Sequence, residues 1–281
     1  MDIYGKKYEI DERLKSVLQP LYAIKSPECS ATEVFHLSPN LEMLLIFSFG
    51  TPVRYTFENK GEPERMMDKI MILGPLRRML TYERAGGTDI LVLPFVLDGF
   101  YRLLGISPDG IDPGSPDDPR FAQTAGLLAA MHDRLAGYTD PMERAAAAES
   151  FVLRAVAPPE AASVPLLQGR DALHDPNLNP VKVIAGQWDI TERAVQQRFR
   201  KYGGYSPKEL IRFLRFKEVV NWLLAHPDEK PDWFFLIEKF GYHDQSHLIK
   251  DFKLYTGAPP REFLRMNDNG SFCTSWQAEG D

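Results

Sequence analysis

Phe199-Arg-Lys-Tyr-Gly-Gly-Tyr-Ser-Pro-Lys-Glu-Leu-Ile211 returns, altered but in register, as Phe252-Lys-Leu-Tyr-Thr-Gly-Ala-Pro-Pro-Arg-Glu-Phe-Leu264. Phe199 and Phe252, Tyr202 and Tyr255, Gly204 and Gly257, Pro207 and Pro260, and Glu209 and Glu262 are identical pairs. Arg200 with Lys253 and Lys208 with Arg261 keep their charge. Each copy reads as a helix ending at a glycine turn and a second helix beginning. A duplicated helical unit with basic residues held in step presents two similar surfaces to a periodic partner. Duplex DNA, one turn every ~34 Å, has that period.

Around this repeat lies a chain of 281 residues, long enough for two domains with their own cores. Hydrophobic residues make up 44% and charged residues 26%, which is ordinary globular composition. No run approaches the ~20 apolar residues of a membrane span, and the first residues lack a signal-peptide core. Cys29 and Cys273 are too few for a disulfide framework or a cysteine metal site. The expected compartment is the cytoplasm, with no membrane partner. Net charge is -6, but it divides unevenly: residues 176–266 hold 15 Lys+Arg against 11 Asp+Glu. The positive excess thus falls on the repeated half, where a phosphate partner needs it.

The fold expectation is α+β: a small antiparallel sheet or barrel-like N-terminal domain with helices, then an all-α C-terminal domain. Leu41–Phe49, Val53–Phe57, Lys69–Leu73 and Asp89–Leu93 are short apolar or alternating runs, stopped by Gly50, Pro52, Gly74, Pro75 and Pro94. The polar 58–68 segment predicts a hairpin loop. Beyond a Pro/Gly/Asp stretch at 107–119, Phe121, Ala125, Leu128, Met131 or His132, and Leu135 fall on one helix. Pro141 opens a second, with Phe151, Val152 and Val156 further along. This pair either covers the sheet or forms a dimer contact.

Residues 1–157 form the N-terminal unit in this reading, 158–165 a Pro-containing linker, 166–266 the helical unit and 267–281 a polar, mobile tail. Pro180 after Asn179 and Thr191 begin helices. Ser206-Pro-Lys-Glu209 is a capping box that opens a long helix ended by His226-Pro227. Pro231 starts the next helix, Gly241 turns the chain, and Asp244 caps another.

A helix-turn-helix needs a small residue on its first helix, a tight turn and an amphipathic second helix. Ala185 and the Asp189 turn meet this in the first copy. Gly241 supplies the turn in the second, where Ile237 replaces the small residue. Phe240-Gly-Tyr-His-Asp-Gln-Ser-His-Leu-Ile-Lys-Asp-Phe252, followed by Tyr255, Gly257 and Pro260, strongly resembles the AraC/XylS family of bacterial transcription regulators. The resemblance covers about residues 164–266, with both halves of the double motif present. Asp189 stands where that family usually has Gly, and Gln197 where it often has Arg. The N-terminal strands and the Leu73-Gly-Pro75 element resemble the sensing domain of one AraC-like subgroup.

The resemblance implies two helix-turn-helix units joined by one long helix, each reading helix entering a major groove. Its base-contacting positions fall on Arg193, Gln196 and Gln197, and in the second unit on Ser246, Ile249 and Lys250. Arg pairs with guanine edges and Gln with adenine, whereas Ile offers only apolar contact. Arg200 adds a cation. Gln245, Ser246 and His247 stand at a helix N-terminus, where free N–H groups can bind phosphate. Implied partners are double-stranded DNA, a small-molecule effector, a second copy of the chain and RNA polymerase.

Solvated surface is the ordinary reading of these polar residues; the repeat is what raises them above it. His243 and His247 could supply half a metal site, but no third ligand stands near at suitable spacing. His36 and His132 form no barrel-type histidine cluster. Asp171, His174 and His36 could be fitted into a triad, but no nucleophile elbow supports one. The expectation is no cofactor, no metal and no enzyme activity. The leading function is an effector-controlled, sequence-specific transcription regulator. The alternatives are a constitutive DNA-binding protein whose N-terminal half only dimerises, and an enzyme with a helix-turn-helix appendage.

Overall fold

The computed structural model describes residues 5–57, 63–111, 118–169, 172, 179–227, 230–268 and 272–273. The β-rich half contains β1 (Lys6–Tyr8), β2 (Leu21–Lys25), β3 (Glu33–Leu37), β4 (Met43–Ser48), β5 (Val53–Phe57), β6 (Arg65–Met67), β7 (Ile70–Leu73), β8 (Leu80–Arg84) and β9 (Asp89–Phe95). Then come α1 (Gly99–Leu104), α2 (Ala125–Ala136), α3 (Pro141–Ala155) and α4 (Val164–Gln168). The helical half holds α5 (Pro180–Gln187), α6 (Glu192–Gly203), α7 (Pro207–Ala225), α8 (Trp233–Lys239), α9 (Gln245–Thr256) and α10 (Pro260–Asp268), followed by β10 (Phe272–Cys273).

Two five-stranded sheets face each other, one in the order β1-β2-β9-β4-β7 and the other β10-β3-β8-β5-β6. The first is covered on both faces, which is why β4 is apolar at nearly every position. Its Leu44 and Ile46 join Val53, Tyr55 and Phe57 of the second sheet in a core between the sheets. Its Met43, Leu45 and Phe47 point the other way, against Leu128, Met131 and Leu135 of α2 and Ala148 and Val152 of α3. The helix pair therefore covers the sheet. β5 alternates buried and exposed residues, as a strand with one wet face does.

Several expectations shift. The 121–135 pattern is broken at Thr124 into a 3-10 turn, Pro119–Gln123, and the helix α2. β1, β2, β3, β6 and β8 were not legible as strands; most are short and half-exposed. β6 lies inside the expected 58–68 hairpin loop, whose residues 58–62 fall outside the described ones. β9 continues through Pro94. That residue's carbonyl accepts from Gln19 N–H at 2.9 Å, so its nitrogen faces the same edge, where β2 has already ended at Leu21. The missing N–H therefore falls beyond the paired stretch of β2 and β9, Tyr22–Lys25 against Asp89–Val92. The tail returns to the β-rich half: Phe272 and Cys273 pair in parallel with His36 and Leu37 of β3. Of the rest of the expected mobile tail, Asn267 and Asp268 continue α10, and residues 269–271 and 274–281 lie outside the described ones.

In the helical half the capping chemistry is as read. Asn179, Thr191 and Asp244 accept from Lys182, Ala194 and His247 N–H, and Ser206 with Glu209 forms a full capping box. α8 begins later than expected, because Asp232 rather than Pro231 sets its start by capping Phe234 and Phe235.

Candidate nucleic-acid interface

Two helix pairs, α5–α6 and α8–α9, share one core with the 19-residue α7: α6 leads into its first turn, α9 packs on it at Arg212, Phe213 and Phe216, and α8 meets Trp222 near its end. At 1.5 Å per residue α7 spans about 28 Å. The repeated phenylalanines and tyrosines build this core. Phe199 and Tyr202 of α6, Phe213 and Phe216 of α7, and Phe252 and Tyr255 of α9 are all buried. Phe216 meets Phe252 edge-on at 5.1 Å between ring centres. Each such ring removed from water contributes ~1.5–3 kcal/mol.

The glycines of the repeat end the reading helices. Gly204 (φ 77°) and Gly257 (φ 73°) take the left-handed position after α6 and α9, which residues with a Cβ avoid. Asp189 also turns left-handed, at φ 48°, where Gly241 of the second unit has φ 64°. Aspartate is among the few non-glycine residues that tolerate this region, so the departure from Gly keeps the turn.

Packing Val195, Phe199 and Tyr202 inward leaves Arg193, Gln196, Gln197 and Arg200 together on the exposed face of α6. On α9, Gln245, Ser246, His247 and Lys250 are exposed, and Ile249 is half-buried beside Leu248 and Phe252. The N-terminus of α9 is already occupied by charge. Asp244 accepts from His247 N–H at 3.0 Å, and its carboxyl is held below the usual range by bonds from His247 and Ser246. A phosphate seated there meets a carboxylate. α6 is capped instead by the neutral Thr191 hydroxyl, 3.1 Å from Ala194 N.

The second unit has a buried polar clamp that sequence inspection missed. Asp251 of α9 accepts from Arg212 of α7 at 2.6 Å and from the Tyr242 hydroxyl at 3.1 Å. Burial, then the Asp251 charge, pushes the Tyr242 hydroxyl well above its ordinary pKa. The ring centres of His243 and His247 lie 5.7 Å apart. Among the described residues no three His, Cys, Asp or Glu side chains are grouped so as to hold a metal. No described helix is long and apolar enough to cross a membrane. Asp171 and His174 lie outside the described residues.

Residues 184–266 match the family model of a helix-turn-helix domain. That stretch is an AraC-type helix-turn-helix domain, a DNA-binding module of transcription regulators. No curated protein matches the chain significantly in sequence. Among solved structures, ToxT from Vibrio cholerae is similar at 11% identity, covering 89% of this chain and 98% of that chain, with a TM-score of 0.41. ToxT bound to an unsaturated fatty acid aligns at 12% identity over 95% of this chain and 98% of its own, with a TM-score of 0.39. The AraC-like transcriptional activator CuxR aligns at 15% identity over 73% and 77%, with a TM-score of 0.27. TM-scores this low leave the assignment resting on the family match and on the paired reading helices.

Proposed function

We propose that the chain is an effector-controlled transcription regulator: residues 1–157 sense a small molecule, 158–165 join the halves, and 166–266 read DNA. The observation that supports it is the pair of exposed polar helix faces, on α6 and α9, carried by one core around α7. In this reading Arg193, Gln196 and Gln197 read base edges, and Arg200 neutralises phosphate. Gln245, Ser246, His247, Ile249 and Lys250 meet the second half-site, where Lys250 is the cation with reach. Promoter output then requires RNA polymerase, and pairing of two copies would double the recognised site.

The sensing half of this reading rests on a cavity between the sheets, about 70 Å³, lined by Ile24, Ile46, Tyr55, Met71, Tyr82 and Val92 among others. A pocket of ~150 Å³ accepts benzene. An effector larger than a few atoms therefore enters only as the sheets part, which is how occupancy would alter the protein's shape.

Two measurements test the proposal. If about six phosphates are neutralised, log K for DNA should fall against log salt with a slope of about -5. A small-molecule thermal-shift screen should yield a compound that raises the melting temperature and changes DNA affinity together. A protein that binds DNA identically with every stabilising compound would instead be a constitutive DNA-binding protein.

A further inference from the structure

The β-rich half grips the first helix-turn-helix unit at a joint away from its reading face. Residues 74–79 leave β7, whose Met71 lines the inter-sheet cavity. Leu73 and Leu76 belong to the core around that cavity. Backbone bonds tie this loop to its own sheet: Asn40 and Leu41 N–H donate to the Leu76 carbonyl at 3.1 and 3.2 Å, and Leu76 N–H donates to Glu42 at 3.3 Å. The loop therefore moves with β4 and β7.

Its outer side rests on the α6–α7 joint. A Cβ at Gly204 would lie 2.6 Å from Pro75 Cγ and 2.9 Å from Pro108 Cβ, so only glycine fits there. Arg77 donates from Nε to Glu209 Oε1 at 2.5 Å and from its terminal nitrogen to the Gly204 carbonyl. Gly204 ends the first reading helix, and Glu209 is the capping-box residue that opens α7. One guanidinium thus ties the end of one helix to the beginning of the next. Nearby, Ser107 donates to the Lys201 carbonyl at 2.8 Å. Glu160 accepts from Lys201 Nζ at 2.8 Å and from the Tyr101 hydroxyl at 2.7 Å.

We propose that Arg77 is a positioning residue that fixes the angle between the first reading helix and α7, and that the 74–79 loop transmits the state of the β core to that joint. The angle matters because it sets where α6 stands relative to α9, which packs on α7 at Arg212, Phe213 and Phe216, and hence which half-site spacing fits. A molecule entering between the sheets displaces β7, and with it Pro75 and Arg77. That last step rests on the proposed sensing role; the joint itself does not. Lysine keeps the charge but cannot bridge two acceptors with a planar fork.

The test uses full-length wild type, Arg77→Ala, Arg77→Lys and Gln196→Ala. Bound duplexes are selected from a random pool, and backbone hydrogen exchange is followed over 204–210. Wild type should select one half-site spacing. Arg77→Ala should spread selection over two or more spacings and speed exchange at the joint about tenfold, with Arg77→Lys shifted the same way. Gln196→Ala should lose base preference at one half-site without broadening the spacing. Unchanged spacing in both Arg77 variants overturns the proposal, even if exchange is faster, because Arg77 would then only add stability. A wild type that selects no sequence defeats the DNA-reading proposal instead. Exchange then decides the joint alone: unchanged rates in both variants overturn it, and faster rates support it.

Discussion

The two helix-turn-helix units share a plan and differ in what holds them. The first turns on Asp189, is capped by a neutral threonine, and is gripped at its exit by Arg77, Ser107 and Glu160 of the β-rich half and linker. The second turns on Gly241, is capped by a carboxylate, and is tied to α7 by the buried Asp251 clamp. Their outward faces differ as well. α6 shows three long hydrogen-bonding side chains, whereas α9 shows Ser246, a half-buried Ile249 and Lys250. Duplication supplied two similar frames, and under the proposed DNA role divergence makes one a reading surface and the other mainly an anchoring one.

The largest effect that could break this comparison comes from emptying each face in turn. Replacing Arg193, Gln196 and Gln197 together with alanine should remove at least 100-fold of affinity for a selected site and much less for random DNA. Each directional pair discriminates by ~1–3 kcal/mol. The Ser246, Ile249 and Lys250 triple should lose about tenfold on both kinds of DNA, roughly one phosphate contact's worth of electrostatics. Randomising each half-site and sequencing bound DNA gives the same answer independently. Equal information in the two halves would show that α9 reads bases too.

Asp251→Ala comes next, at about 2 kcal/mol of stability, less than a fully buried pair because the Arg212 side chain is 44% exposed and keeps water. Denaturant melts measure it, and exchange should rise first in α9 and not in α6. Ser206→Ala should cost ~1 kcal/mol by removing the cap of α7; an unchanged melting temperature would refute the cap's role. Asp244→Ser keeps a cap and removes its charge, so affinity for random DNA should rise severalfold, by a helix-terminus effect of ~0.3–1 kcal/mol. No rise would mean the N-terminus of α9 stays clear of phosphate. Asp189→Gly should change stability by less than ~1 kcal/mol, since relief of the left-handed turn is offset by the greater freedom of unfolded glycine.

How legible each element was follows from how local its signal is. Caps and turns were readable because Ser206, Thr191, Asp244 and Gly204 act within four residues of themselves. β4 and β9 were readable as apolar runs because both faces of their sheet are covered. β3 and β8 were not, since Glu33–Leu37 and Leu80–Arg84 mix polar and apolar residues without a clean period. The outward placement of Arg193, Gln196 and Gln197 followed from the inward placement of Val195 and Phe199. The half-burial of Ile249 did not, because it depends on how α9 leans on its neighbours. Arg77 and Glu160 gave no local sign at all.

By itself the sequence determined the duplicated helical plan, the helix boundaries set by caps and glycines, and the polar faces of the reading helices. These follow from short-range hydrogen bonding and from the 3.6-residue period, which act along the chain. Only the tertiary structure decided that α2 and α3 cover the sheet, that Phe272 and Cys273 return to β3, and that Arg77 meets Glu209 across 132 positions. Such contacts depend on where whole elements pack, and a guanidinium in sequence looks the same whether it faces water, phosphate or a carboxylate from the other half.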